Sequence, residues 1–205
     1  MPTEICRSRA SSNRLSAVMP PMKRQMLQTA RGGDHYLPRI DWSSSNSPAN
    51  TPMDPTHLSA DFHDFLTCLN EAGVEYLVVG GHAVAHHGFV RPTRDMDVWV
   101  AVSSENADRL VEAINSFFQG QLPGLTRDWF LDSENVTRFG AVPNLIEILP
   151  KVSGCDFSTA FSKRIVANLD GQTVNFVNRE DLIANKKASG RLKDLADVEQ
   201  LTKPA

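Results

Sequence analysis

A chain of 205 residues, 41% of them hydrophobic and 22% charged, suits one domain of ordinary size with a sizeable core. Its formal charge of −3 hides an asymmetry: residues 1–52 carry seven Lys/Arg and three Asp/Glu, whereas 53–205 carry fourteen and twenty-one, too acidic a balance for broad nucleic-acid binding. Three scattered cysteines, Cys6, Cys68 and Cys155, argue for a reducing cytoplasm and against a disulfide framework or structural zinc, and no run is long and apolar enough for a membrane span or a secretory signal.

Residues 1–55 lack sustained periodicity and are rich in Ser, Pro, Arg and Asn, which predicts a disordered N-terminal segment ahead of one folded domain over 56–205. The Arg- and Ser-rich beginning fits an organellar transit peptide or, equally, a start assigned too far upstream with Met53 as the true start. Order begins at Ser59, a candidate N-cap, with Phe62, Phe65, Leu66 and Leu69 at helical spacing and Gly73 as the stop.

The stretch Tyr76–Val102, YLVVGGHAVAHHGFVRPTRDMDVWVAV, organises the rest. Tyr76–Val79 reads as a buried strand that stops at Gly80-Gly81, and residues 81–88 make a short helix whose free N–H groups favour a phosphate at the turn. A second strand follows in Asp95-Met96-Asp97-Val98-Trp99-Val100, where alternation puts both carboxylates on one face. Like charges that close resist joint ionisation unless a cation neutralises them, and oxygen-only ligands suit a hard divalent ion such as Mg²⁺.

Farther on, Ser104 is expected to cap a helix with Ala107, Leu110, Val111, Ile114 and Phe117 on one stripe, and strands are expected near Leu125–Leu131 and Val136–Phe139. Asn144–Pro150 is an apolar strand with one acid inside it, so Glu147 needs a partner or a coordinated ion. Arg164–Ala167 and Gln172–Val177 around Asp170-Gly171 give the clearest hairpin signal. Asn178 then caps a helix over 179–188, and a last helix runs from Arg191 to Val198.

Strand, Gly-Gly turn, short helix and Asp-x-Asp strand, with 13 residues between Gly81 and Asp95 and an interposed Arg-x-Thr, resemble the core of the nucleotidyltransferase fold. GGHAVAHHG with RPTRDMDVWV, and EDLIANKKASGRLKDLADVEQL near the C-terminus, look like the minimal nucleotidyltransferases that include AbiEii-type toxins, over roughly Leu58 to Leu201. The resemblance implies an α/β (α+β) fold: a mixed sheet flanked by helices, with a C-terminal helical pair closing the cleft. It implies catalytic and metal-binding roles for Asp95, Asp97 and Glu147, with Mg²⁺ or Mn²⁺ as cofactor, and nucleotide contacts from Gly80, Gly81, Arg91, Thr93 and Lys186. The implied reaction moves a nucleoside monophosphate from a nucleoside triphosphate to an acceptor hydroxyl on a tRNA or other RNA end or on a protein side chain. A toxin role with an antitoxin partner comes from the same resemblance. Two departures stand out: Gly81 replaces the Ser many relatives carry at the turn, and Glu147 replaces an Asp.

Those departures also fit a catalytically inactive nucleotide-sensing or partner-binding module on the same fold. Blander readings stand beside each residue: Asp95 and Asp97 in an ion-pair cluster with Arg91 and Arg94, Gly80-Gly81 as a plain turn, Glu147 bridged to an arginine, Lys186 and Lys187 on a solvated helix face. His82 and His86 stand at i, i+4 but lack the Glu of a zinc protease, and His87 reads as a packing residue.

Overall fold

The computed structural model describes the two-residue strand Gln28–Thr29 and residues 58–120, 122 and 124–203. The expected disorder of residues 1–55 lies, apart from that strand, outside the described residues. In chain order the elements are β1 (Gln28–Thr29), α1 (Ala60–Glu71), β2 (Tyr76–Val78), α2 (Gly80–His86), β3 (Asp95–Val100), α3 (Ser104–Phe117) and α4 (Arg127–Leu131). β4 (Thr137–Phe139), β5 (Leu145–Leu149), α5 (Phe157–Ser162), β6 (Ile165–Leu169), β7 (Gln172–Phe176), α6 (Arg179–Ser189) and α7 (Leu192–Leu201) complete them.

One mixed sheet runs in the order β1-β4-β5-β3-β2-β7-β6. β3 lies at its centre, antiparallel to β2 and parallel to β5, in a register that places Asp97 opposite Glu147 and Asp95 opposite Leu145. Alternation explains the division of labour along β3: Met96 and Val98 are buried in the core, while Asp95 and Asp97 point the other way and are only partly covered.

α1 begins where the sequence predicts, with Ser59 Oγ accepting from the Phe62 amide, and its Phe62, Phe65, Leu66 and Leu69 are all fully buried. Each such side chain contributes roughly 1.5–3 kcal/mol on leaving water, so α1 is anchored by its stripe more than by its propensity. Phe65, Phe117, Phe118 and Phe139 pack edge to face, tying α1, the end of α3 and β4 into one core. The β6–β7 hairpin turns at Asp170 and Gly171, both at positive φ (51° and 84°), the conformation that a two-residue turn of the right-handed twist demands.

Two local expectations are corrected, and one element is unexpected. The stretch read as a strand over Leu125–Leu131 forms the one-turn α4 instead; five residues are too few for helical period to show, and Trp129 Nε1 donating to Thr137 Oγ1 at 2.9 Å holds it on β4. The cap of α3 is Ser103, whose Oγ accepts from the Asn106 amide, so Ser104 is the first helical residue and not the cap. α5 has no counterpart among the expected elements; its signal is Asp156, which accepts from the Thr159 amide at 2.9 Å.

Candidate active site

The tight turn after β2 is dictated by its two glycines. Gly80 has φ +61°, and a Cβ there would stand 1.8 Å from Asp97 Oδ2; Gly81 would place a Cβ 2.3 Å from Thr93 Oγ1 and 3.7 Å from Arg91 Nη1. No side chain fits at either position. The absence of Ser at the turn therefore has a steric cause: Thr93, itself buried, carries a hydroxyl into the space a residue-81 side chain would take. That hydroxyl is within 3.1 Å of Asp95 Oδ1 and 3.3 Å of the Asp95 carbonyl oxygen. The Val79 amide donates to the Asp97 carbonyl at 2.9 Å, so turn and strand are fastened together beneath the carboxylates.

Asp97 is the most perturbed carboxyl of the site. Burial, then the negative charges of Asp95 and Glu147, push it up to about 7 against the pull of Lys193 and Lys186. Its neighbour across the sheet is differently placed. Glu147 accepts from Arg138 Nε at 2.6 Å, the pair being directly opposed on β5 and β4, which supplies the partner that a lone acid in a covered strand requires. Among the described residues no group of three or more His, Cys, Asp or Glu side chains is gathered closely enough to hold an ion by itself. Asp95 and Asp97, a carboxylate pair on one face under a side-chain-free turn, do fit a hard cation that takes its remaining oxygens from phosphate and water.

Arg91 and Lys186, expected from resemblance to touch nucleotide, meet each other's partners in a buried ion cluster. Arg91 grips Asp197 with Nε to Oδ1 at 2.8 Å and Nη2 to Oδ2 at 2.9 Å; Lys186 Nζ lies 2.8 Å from Asp197 Oδ2 and 2.9 Å from Asp194 Oδ1. Asp194 Oδ2 also accepts from Ser189 Oγ at 2.7 Å and Arg191 Nε at 2.5 Å. Burial works to raise both aspartates, yet these bonds outweigh it: Asp194 is held at about 2, and Asp197 is likewise lowered by Arg91 and Lys186. Lys186 is thus buried rather than on a solvated face. Asp194 and Asp197, the partners of these two cations, are not singled out by sequence reasoning; their i, i+3 spacing, with Asp194 closing an Arg-x-Lys-Asp run, is the available signal.

The histidines divide in a similar way. His82 is buried edge-on against Phe62, its Nε2 has no partner among the described residues, and burial pushes it down to about 4 despite the charge of Asp95. His86 stacks on Phe176 with ring centroids 4.2 Å apart, and His87 Nε2 lies 2.8 Å from the Val177 carbonyl, a packing role as expected.

A mixed sheet that sets Asp-x-Asp against a Gly-Gly turn, flanked by helices, defines a nucleotidyltransferase domain. Residues 60–202 match the family described as nucleotidyltransferase of unknown function (DUF6036), and the chain belongs to that family of transferases. Among solved structures it is similar to an antigenic nucleotidyltransferase-like protein from Paracoccidioides brasiliensis, at 21% identity and a TM-score of 0.43 over 70% of this chain and 77% of that one. Another is the antibiotic-resistance factor ANT(2'')-Ia, at 19% identity and a TM-score of 0.45 over 69% of this chain and 80% of that one. No curated protein matches by sequence.

Proposed function

We propose that this nucleotidyltransferase moves a nucleoside monophosphate from a nucleoside triphosphate to an acceptor hydroxyl, with Mg²⁺, or Mn²⁺ in its place, on Asp95 and Asp97. The observation that carries the reading is the setting of Asp97: a carboxyl beside two other acids, under a turn that no side chain can enter, and raised to about 7 by that setting. Such a group is only partly ionised at neutral pH, and a cation joining it would complete the ionisation. When bound, the ion neutralises phosphate charge and stabilises the attacking and leaving oxygens.

The chain's own residues supply the rest. Gly80 and Gly81 let Asp97 and Thr93 close directly on the turn whose backbone would seat the triphosphate, and Thr93 holds the Asp95 carboxylate in place while presenting its hydroxyl beside the turn. Arg91 and Lys186 support the nucleotide side through the ion cluster, and Glu147, anchored by Arg138, polarises the acceptor side. An RNA end or a protein hydroxyl serves as acceptor. The motif resemblance to AbiEii-type toxins supports a cytoplasmic toxin whose cleft an antitoxin covers.

Calorimetric titration with ATP, CTP, GTP and UTP in Mg²⁺ tests the binding half. At least one nucleotide is expected to bind in a metal-dependent way that Asp95→Asn and Asp97→Asn each abolish. Failure of all four to bind would overturn the assignment.

A further inference from the structure

The ion cluster does more than fasten two helices. We infer that Asp197, gripping Arg91 across 106 residues of chain, is a positioning residue that holds Thr93 and hence Asp95 in their working arrangement, so that α7 sets the geometry of the Asp-x-Asp strand. The inference rests on the transfer reading for its kinetic consequence only.

Three observations support it. First, the path is short: Asp197 accepts from Nε and Nη2 along one edge of the Arg91 guanidinium, Arg91 stands two residues before Thr93 in the same strap, the side chains of both crowd the Gly81 turn, and Thr93 Oγ1 donates to Asp95 Oδ1. A bidentate fork fixes orientation as well as distance, which a lysine at position 91 would not. Second, the cluster is costly as a mere fastener. Asp194, Asp197 and Lys186 are almost wholly buried, and apolar residues of similar volume commonly match or exceed the stability of such a group, so its use lies in specifying one arrangement. Third, the strap from Phe89 to Arg94 has no regular secondary structure and would otherwise be free to set Thr93 in several ways.

The test uses the full chain. Threonine methyl NMR is recorded for wild type, Asp197→Asn, Arg91→Met and the pair Arg91→Met/Asp197→Leu, with the buried Thr137 of β4 as the internal reference for intact fold. Thr93 is expected to shift and lose order in every variant while Thr137 stays unchanged. In the transfer assay kcat should fall about 100-fold, and in Asp197→Asn, which keeps both Arg91 and Lys186, KM for nucleotide should be little altered, as happens when a reacting group is misplaced while the grip on the nucleotide is kept. The apolar pair keeps the test valid if a single variant unfolds, because it removes Arg91 and Asp197 together and leaves the buried Lys186 its other partner, Asp194. An unchanged Thr93 resonance in folded variants would overturn the inference, as would undiminished kcat. If the wild type transfers nothing, the transfer reading fails, and the Thr93 signal still decides whether Asp197 positions the strap.

Discussion

Gly80 and Asp97 are in direct steric register: at φ +61° the glycine leaves no space for a Cβ, which would stand 1.8 Å from Asp97 Oδ2. Gly80→Ala is therefore expected to expel the carboxylate and to destabilise the fold by roughly 1–2 kcal/mol from backbone conformation alone, before the clash is counted. Thermal melts check the stability, and Mg²⁺-dependent nucleotide binding, expected to vanish, checks the site.

Asp97→Asn separates function from stability. A carboxyl raised from 3.8 to about 7 on folding contributes stability that is fully present below 3.8 and lost as pH rises through 7. The amide should thus make the metal-free protein more stable at pH 8, by on the order of 1–3 kcal/mol, with little difference at pH 4. Transfer should be abolished. Melts at the two pH values decide it, and a mutant less stable than wild type at pH 8 would refute the charge-repulsion account.

His82 acts with the opposite sign. Its folded value of about 4 lies below the ordinary 6.5, so its contribution is present above 6.5 and lost as pH falls through 4. His82→Leu should flatten the acid side of the stability curve and, by removing a buried nitrogen that has no partner among the described residues, raise stability near pH 5 by about 1 kcal/mol. Denaturant midpoints from pH 4 to 7 measure this.

Glu147 should matter less than Asp97. Because its carboxylate is committed to Arg138, Glu147→Gln is expected to reduce transfer about 10- to 100-fold rather than eliminate it. Parallel kinetics of the two variants check the ranking.

The fold is legible in the sequence wherever a signal is local. Ser59 with its apolar stripe, the Asp170-Gly171 hairpin and the Asn178 cap each encode their element within a few residues, and period-two alternation alone puts Asp95 and Asp97 on one face. What escapes is either too short or too distant. α4 and α5 span five and six residues, less than the repeat needed to tell helix from strand. The Arg91–Asp197 grip joins positions 106 apart, and no local pattern reveals that Lys186 turns inward to two aspartates instead of outward to a ligand. Glu147's need for a partner is readable from its apolar neighbours, but its choice of Arg138 depends on the β4–β5 register.

The most direct measurement is transfer itself: purified protein with Mg²⁺, each of the four α-labelled nucleoside triphosphates in turn, and RNA or protein acceptor. Label should appear covalently on acceptor from at least one nucleotide, and should be lost with Asp97→Asn or with chelation of the metal. Nucleotide binding without incorporation into either acceptor, or incorporation that survives Asp97→Asn, would contradict the account.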